Sequence, residues 1–318
     1  MISRRSILAA PALVAAASAI PASPLLARAP LAGASSPPVY RFKVGAFEVT
    51  AIADGTLALE AGLFPRAGED KAAADRLLAA AGLAAGPIPT FVNTYLINTG
   101  DRLVLIDTGT ATAMGPALGK LPAHLRAAGI DPATIDVVAL THLHPDHANG
   151  LAPDGKPAFP NAEIVVTEAE HAFWTDEGIM SRAPKDVQVF FQAAQAAVKP
   201  YAARTRRIVS GEVVPGIVAE PAPGHTPGHV MYRVASGPEQ LLVFGDIVHV
   251  AAFQFAKPEW SLAFDSDQAA ARETRKRVFD MVSADRIPVA GMHLAFPGIG
   301  RVMRAGEAYS FMPQLWAS

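Results

Sequence analysis

Apolar and polar positions divide the chain from about residue 40 onward into strand-like and helix-like segments. Tyr40–Val44 and Phe47–Ala53 alternate and are rich in β-branched and aromatic residues, so two strands joined at Gly45 are expected. Thr94–Asn98 and Leu103–Ile106 flank Thr99-Gly100-Asp101, the pattern of a hairpin turn. A helix is expected from about Pro116 to Ala128, ended by Gly129. Val137–Leu140 is short and wholly apolar, as in a strand covered on both faces, and Glu163–Thr167 is a further strand. Helical patterns follow at Glu168–Trp174 and Lys185–Val198. Strands near Arg207–Val209, Ile217–Glu220, His229–Val234 and Leu241–Phe244 are expected to build a second sheet-rich half. A helix over Asp267–Val282 and a strand at Ile287–Ala290 complete it. The pattern predicts two sheets packed together with helices outside.

The first 34 residues break from this pattern. Ser3-Arg4-Arg5-Ser6-Ile7-Leu8 sets a twin arginine before an apolar stretch from Ile7 to Ile20, and no Asp or Glu occurs before Glu48. This reads as a twin-arginine export signal, which predicts a periplasmic or secreted protein. A membrane anchor is the alternative, but a spanning helix needs roughly 20 apolar residues, and Pro11 and Pro21 interrupt this stretch. Cleavage is expected after Ala-Gly-Ala at 32–34 rather than Ala-Arg-Ala at 27–29, where Pro30 would follow, leaving one domain over residues 35–318. The twin-arginine route carries folded proteins, often with a cofactor already inserted. No later segment is apolar enough to span a membrane.

Composition narrows the function classes. With 51% hydrophobic and 18% charged residues the chain has ample core, and with no cysteine it has neither disulfides nor thiolate chemistry. Losing Arg4, Arg5 and Arg28 leaves 24 basic against 29 acidic residues, a net −5. An acidic surface is a poor clamp for a phosphate backbone, so nucleic acid is not an expected partner.

The candidate chemistry sits at strand ends. Directly after Val137–Leu140 comes Thr141-His142-Leu143-His144-Pro145-Asp146-His147. His142 and His144 are two apart, so in an extended loop both rings face one side and can bind one metal. Asp146 and His147 diverge from them, which suits a second ion. Pro223-Gly224-His225-Thr226-Pro227-Gly228-His229 is a tight loop fixing a histidine before a strand; Phe244-Gly245-Asp246 and Gly291-Met292-His293 each follow an apolar strand. Alone, Asp246 reads equally as a turn or cap residue and His293 as structural. Together, the four strand-end sites supply five histidines and two aspartates.

This order of motifs, H-x-H-x-D-H, then Pro-Gly-His, Gly-Asp and a final His, resembles the metallo-β-lactamase superfamily, from about Phe42 to the C-terminus. The resemblance implies an α+β fold, an αββα sandwich with a dinuclear metal site at one edge. It assigns His142, His144 and His225 to one metal, and Asp146, His147 and His293 to the other, with Asp246 bridging. Asp107, in Ile106-Asp107-Thr108-Gly109, matches the aspartate that orients a ligand histidine by accepting its distal N–H. Val250-Ala251-Ala252-Phe253-Gln254-Phe255, Asp265-Ser266-Asp267 and His293-Leu294-Ala295-Phe296-Pro297-Gly298-Ile299-Gly300 are similar to the methyl parathion hydrolase and lactonase branch. That branch implies small-molecule ester, lactone or organophosphate triester substrates, and its members are often homodimers.

The implied mechanism uses two divalent ions, most simply zinc, with Mn, Fe or Co open alternatives. A water bridging them is acidified toward pKa about 7 and attacks the ester, with Asp146 orienting it. Met114, Trp174 and Phe190 match bulky positions lining the pocket of parathion-hydrolysing relatives; plain core residues are the equal alternative for the two aromatics. Met114 replaces an aromatic residue there, which counts against triester turnover. His249 stands three residues after Asp246, where lactonase relatives can place a tyrosine that polarises the ester carbonyl; it is read as catalytic or substrate-binding, or as a packed strand residue. A β-lactamase or thioesterase-like hydrolase is the runner-up. Thioesterases need basic residues near the site, and Asp246 as a seventh ligand favours the hydrolase branches over β-lactamases.

Overall fold

The computed structural model describes residues 36–315, so the expected export segment lies outside the described residues. Two seven-stranded sheets carry the architecture. The first runs in chain order through β1 (Val39–Val44), β2 (Phe47–Leu59), β3 (Ile88–Asn98), β4 (Leu103–Ile106), β5 (Val137–Ala139), β6 (Glu163–Thr167) and β7 (Thr205–Ile208). The second comprises β8 (Gly211–Val214), β9 (Ile217–Pro221), β10 (Val230–Ser236), β11 (Glu239–Val243), β12 (Val289–Ala290), β13 (Ile299–Ala305) and β14 (Ala308–Pro313). The helices are α1 (Pro65–Glu69), α2 (Lys71–Ala80), α3 (Leu121–Ala127), α4 (Pro145–Ala148), α5 (Glu168–Thr175), α6 (Glu177–Arg182), α7 (Lys185–Val198), α8 (Ala251–Gln254) and α9 (Gln268–Ala284). None is long and apolar enough to cross a membrane.

Side-chain alternation explains the layering. In β5, Val137 and Ala139 join a core shared with Tyr95, Val230, Tyr232 and Val243 between the sheets. The intervening Val138 packs with Leu125, Phe191 and Val198 under α3 and α7. In β11, Leu241 and Val243 face the inter-sheet core, whereas Leu242 packs with Val278 and Phe279 of α9. A strand covered on both faces needs apolar residues at every position, which is why these segments read as unbroken runs. Each sheet thus buries one face on the other sheet and one on helices, the expected αββα sandwich.

Strand direction gathers the loops. β4, β5 and β6 run parallel in the first sheet. In the second, β9 and β11 are both antiparallel to β10, and β12 is parallel to β11. The segments following β4, β5, β9, β11 and β12 therefore emerge at strand C-terminal ends, where open α/β sheets place their ligands.

Several expectations need correction. The segment near Arg207–Val209 belongs to the first sheet, because β7 pairs in parallel with β6. The helix expected from Pro116 begins at Leu121. The buried Asp54 carboxylate accepts from the amides of Gly119 and Leu121, and Gly119 has φ +74°, so this stretch is held as a loop. The pairs α1–α2 and β13–β14, together with α6 and β8, were not anticipated. They are short or carry charged residues that blur the apolar period.

Candidate metal centre

His142 and His144 stand in the loop after β5, and Asp146 and His147 lie in the single-turn α4 that continues it. His225 comes from the β9–β10 loop, Asp246 follows β11, and His293 follows β12. Asp107 directly follows β4 with a left-handed backbone, φ +60°, a conformation that Asp tolerates better than most residues. Gly245 also has φ +58°, and a Cβ there would lie 2.4 Å from His229 Nε2, so a side chain would displace the residue that anchors the Asp246 backbone.

Three groups bring their ligand atoms within 4.8 Å of one another: His142, His144, His225 and Asp246; Asp146, His147 and His293; and Asp246, His249 and His293. Asp246 Oδ2 lies 3.6 Å from His142 Nε2, 3.2 Å from His225 Nε2 and 3.2 Å from His293 Nε2. Its Oδ1 lies 3.2 Å from His147 Nε2. Asp246 is thus flanked by both imidazole sets. Asp146 Oδ2 faces His147 Nε2 at 3.4 Å and His293 Nε2 at 3.5 Å.

Outer partners set the ring orientations. His147 Nδ1 donates to Asp107 Oδ2 at 2.7 Å, His225 Nδ1 to Asp265 Oδ1 at 2.9 Å, and His293 Nδ1 to the Phe91 carbonyl at 2.8 Å. Thr141 Oγ1 donates to Asp107, so its contact with His142 Nδ1 at 3.0 Å is one in which the ring donates. Each of these acceptors holds the Nδ1 proton outward and turns Nε2 inward. His144 instead turns Nδ1 toward His225 Nε2 at 2.9 Å.

Charge follows from burial and neighbours. Burial holds His142 and His144 well below the ordinary imidazole range and brings His229 down to about 3 and His249 to about 4. Burial also disfavours charge on His147, but Asp246, Asp146 and Asp107 outweigh it and raise that ring. His225 is carried up to about 9, with hydrogen bonds to Asp246 and Asp265 overcoming burial. Asp246 resists burial in the same way and stays well below the carboxylate range beside His147, His293, His249 and His142.

The donors fit divalent cations. Among the described residues, His142 Nε2, His147 Nε2 and Asp246 Oδ1 are buried with no hydrogen-bond partner in the protein. Unpaired buried polar atoms are expensive, and three of them converging here form an oxygen–nitrogen donor set that zinc accepts.

Beside these groups opens a cavity of about 280 Å³, whose apolar lining includes Leu57, Leu59, Leu63, Met114, Phe190 and Phe264. His144, Asp146, His225, Asp246, His249 and His293 form its floor. Met114, Phe190 and His249 therefore reach the cavity; Trp174 does not. Trp174 is buried, packs its ring 5.2 Å from that of His144 and donates Nε1–H to Glu170. It supports the cluster from behind. His229 also lies behind it, accepting from the Asp246 amide and bonding the Ala222 carbonyl through Nδ1. Sequence reasoning missed Phe264, Asp265 and Glu170 as site residues: one sits in a coil, and the two carboxylates reach the cluster only through tertiary contacts.

Comparisons with known proteins agree with this geometry. Residues 87–289 match the Metallo-beta-lactamase superfamily. An N-acyl homoserine lactonase from a Bacillus species is 27% identical over 173 residues, covering 47% of this chain and 61% of that protein. N-acyl homoserine lactonase AiiB from Agrobacterium fabrum (strain C58) is 30% identical over 117 residues, covering 31% and 42%. The chain thus spans less than two thirds of the length of these curated relatives. Among solved structures, the hydrolase AbOPH of the beta lactamase superfamily superposes with a TM-score of 0.85 at 32% identity, covering 90% of this chain and 100% of that one. AidC, a dizinc quorum-quenching lactonase solved with a homoserine product, gives 0.83 at 26% identity, covering 89% and 99%. The strand-end cluster, the two-sheet fold and these matches agree: the chain belongs to the metallo-beta-lactamase superfamily.

Proposed function

We propose that this protein is a dinuclear metal-dependent hydrolase of neutral, apolar esters, with lactones and aryl esters as its substrates and organophosphate triesters as a lesser activity. One observation carries the reading: inward-facing imidazole nitrogens and the Asp246 carboxylate converge at the floor of an apolar cavity. His142, His144 and His225 would hold one ion, Asp146, His147 and His293 the other, with Asp246 between them. When bound, two such ions supply Lewis acidity and a hydroxide at neutral pH.

The protein's own groups supply the rest. Leu57, Leu59, Leu63, Met114, Phe190 and Phe264 take the apolar part of the ester and exclude water from it. Asp146 is a partly exposed carboxylate at the floor, placed to orient the attacking water. Among the described residues, none that lines the cavity is Lys or Arg, which favours uncharged substrates over the carboxylate-bearing ones of β-lactamases. Export by the twin-arginine route to the periplasm or medium is part of the same proposal and follows from Arg4 and Arg5.

The test is hydrolysis by metal-loaded protein of a dihydrocoumarin-type lactone or aryl ester, an acyl-homoserine lactone, and methyl parathion. Cleavage of the first two, abolished by chelator and restored by Zn²⁺ or Mn²⁺, is the expected result. Silence on all three with two metals bound would reject the substrate class. Dominant methyl parathion turnover would move the enzyme to the phosphotriesterases.

His249 lines the cavity with Nε2 3.0 Å from Asp246 Oδ2, and its Nδ1 has no partner in the protein among the described residues. His249→Ala is expected to lower kcat on lactones by about 10²-fold while two metals stay bound. Loss of one metal instead would make His249 a ligand, and an unchanged kcat/KM across substrates would make it a packing residue.

A further inference from the structure

Glu170, on α5, is completely buried and lies outside the three candidate donor groups, yet its carboxylate collects four hydrogen bonds from three separate parts of the chain. Oε1 accepts from the Leu143 amide at 2.9 Å and from Trp174 Nε1 at 2.7 Å. Oε2 accepts from Thr226 Oγ1 at 2.7 Å and from the Gly228 amide at 2.9 Å. Leu143 lies between His142 and His144. Thr226 and Gly228 belong to the loop that carries His225. One carboxylate therefore spans the two loops whose histidine nitrogens meet at 2.9 Å.

Two further contacts tie the same parts together. Thr167 Oγ1 accepts from the Glu170 amide as the N-cap of α5 and donates to the Gly228 carbonyl at 2.7 Å. At Gly228 a Cβ would lie 2.2 Å from the Glu170 amide nitrogen and 2.6 Å from its Cα, so the His225 loop rests directly on the first turn of α5 only because that residue is glycine. Trp174, held by the same carboxylate, packs against the ring of His144.

We propose that Glu170 is the positioning residue for the His142, His144 and His225 donor group, setting the separation of the two loops and hence the geometry of the ion they hold. Three of the four donors, two backbone amides and an indole N–H, cannot accept, so only a group with acceptors on both ends satisfies them. A glutamine in its place would turn an NH₂ against at least one obligate donor whichever way it is flipped. An aspartate would fall short of both loops. Residues that orient metal ligands from behind commonly change metal affinity by 10–100-fold when altered.

This role presupposes that these histidines hold an ion, and the two ideas fail separately. The full chain is stripped of metal and titrated with Zn²⁺ against a chromophoric chelator, then with Co²⁺ while its d–d absorption is recorded. Glu170→Gln is expected to weaken one of the two Zn²⁺ sites by at least about tenfold. Its Co²⁺ spectrum should change while circular dichroism stays that of the native fold. Zn²⁺ affinities within about twofold of wild type, with an unchanged Co²⁺ spectrum, would overturn the proposal.

Should Glu170→Gln fail to fold, Thr226→Val removes a single donor and keeps the carboxylate; a weakening of the same site by about threefold or more is expected. No weakening would again overturn the role. Phe279→Leu, a core change beneath the second sheet, is the control for lost stability, and an equal loss of Zn²⁺ there would also overturn it. A wild-type protein that binds no Zn²⁺ would instead reject the metal reading, and the role of Glu170 with it.

Discussion

Asp246→Asn is expected to lose metal and hydrolysis together. Asp246 belongs to two of the three donor groups, with one oxygen facing His142, His225 and His293 and the other facing His147. An amide keeps the shape of the side chain but removes its charge and turns an N–H₂ toward one of the two imidazole sets. The fold has little reason to change, because the hydrogen bond from this residue to His229 runs through the backbone amide. Metal analysis should therefore find about one ion per chain or fewer. The fall in kcat/KM should be on the order of 10³-fold, the size seen when a preorganised electrostatic group is removed from a site. Full metal content with full turnover would sink the bridging assignment.

The second large effect concerns stability. Arg275 on α9 is almost wholly inaccessible, and burial lowers its guanidinium to about 10, which leaves it charged at neutral pH. Nε donates to the Ile247 carbonyl at 2.7 Å, and Nη1 donates to the carbonyls of Pro258 and Trp260 at 2.9 and 3.2 Å. Nη2 stands 3.8 Å from Asp265, whose other oxygen accepts from His225. Arg275→Ala removes the packing of the side chain and leaves three carbonyls and a buried carboxylate without this partner. A loss of about 3–5 kcal/mol is expected, the range for breaking a buried charged network. Equilibrium denaturation of the metal-free protein measures it without interference from metal affinity. A change under about 1 kcal/mol, ordinary for a surface substitution, would show that water and rearrangement replace the network.

How much of this was legible in the chain depends on the distance over which each feature is encoded. His142, His144, Asp146 and His147 fall within six residues, and spacing alone declares them. Asp246 and His293 each follow an apolar strand directly, but they become readable only beside the first cluster. The strands β5, β6 and β11 were readable for the reason that buries them: each face needs apolar residues, so the run is unbroken. Elements whose order comes from elsewhere were not. The loop before α3 looks helical until Asp54, more than fifty residues earlier in sequence, takes its amides. The strand β7 reads as a neighbour of β9 but pairs with β6.

Trp174 shows the same divide at the site. Its position on a helix between ligand motifs suits a pocket wall as well as a core residue, and periodicity does not separate the two. The hydrogen bond to Glu170, four residues earlier on the same helix, and the packing against His144 put it behind the cluster, while Phe190 on α7 reaches the cavity.

By itself, the sequence determined the candidate donor residues, their order at strand ends and the two-layer fold, because these depend on local spacing and local hydrophobic period. Only the tertiary structure decided which nitrogen of each imidazole faces inward, which bulky residues line the cavity, and that Glu170, Asp265 and Arg275 hold the histidine loops in place. Those outcomes rest on hydrogen bonds between residues as far as 202 positions apart, such as His293 Nδ1 to the Phe91 carbonyl. A buried carboxylate and a surface one look alike in a sequence; only the set of donors that folding brings around it makes it part of a site.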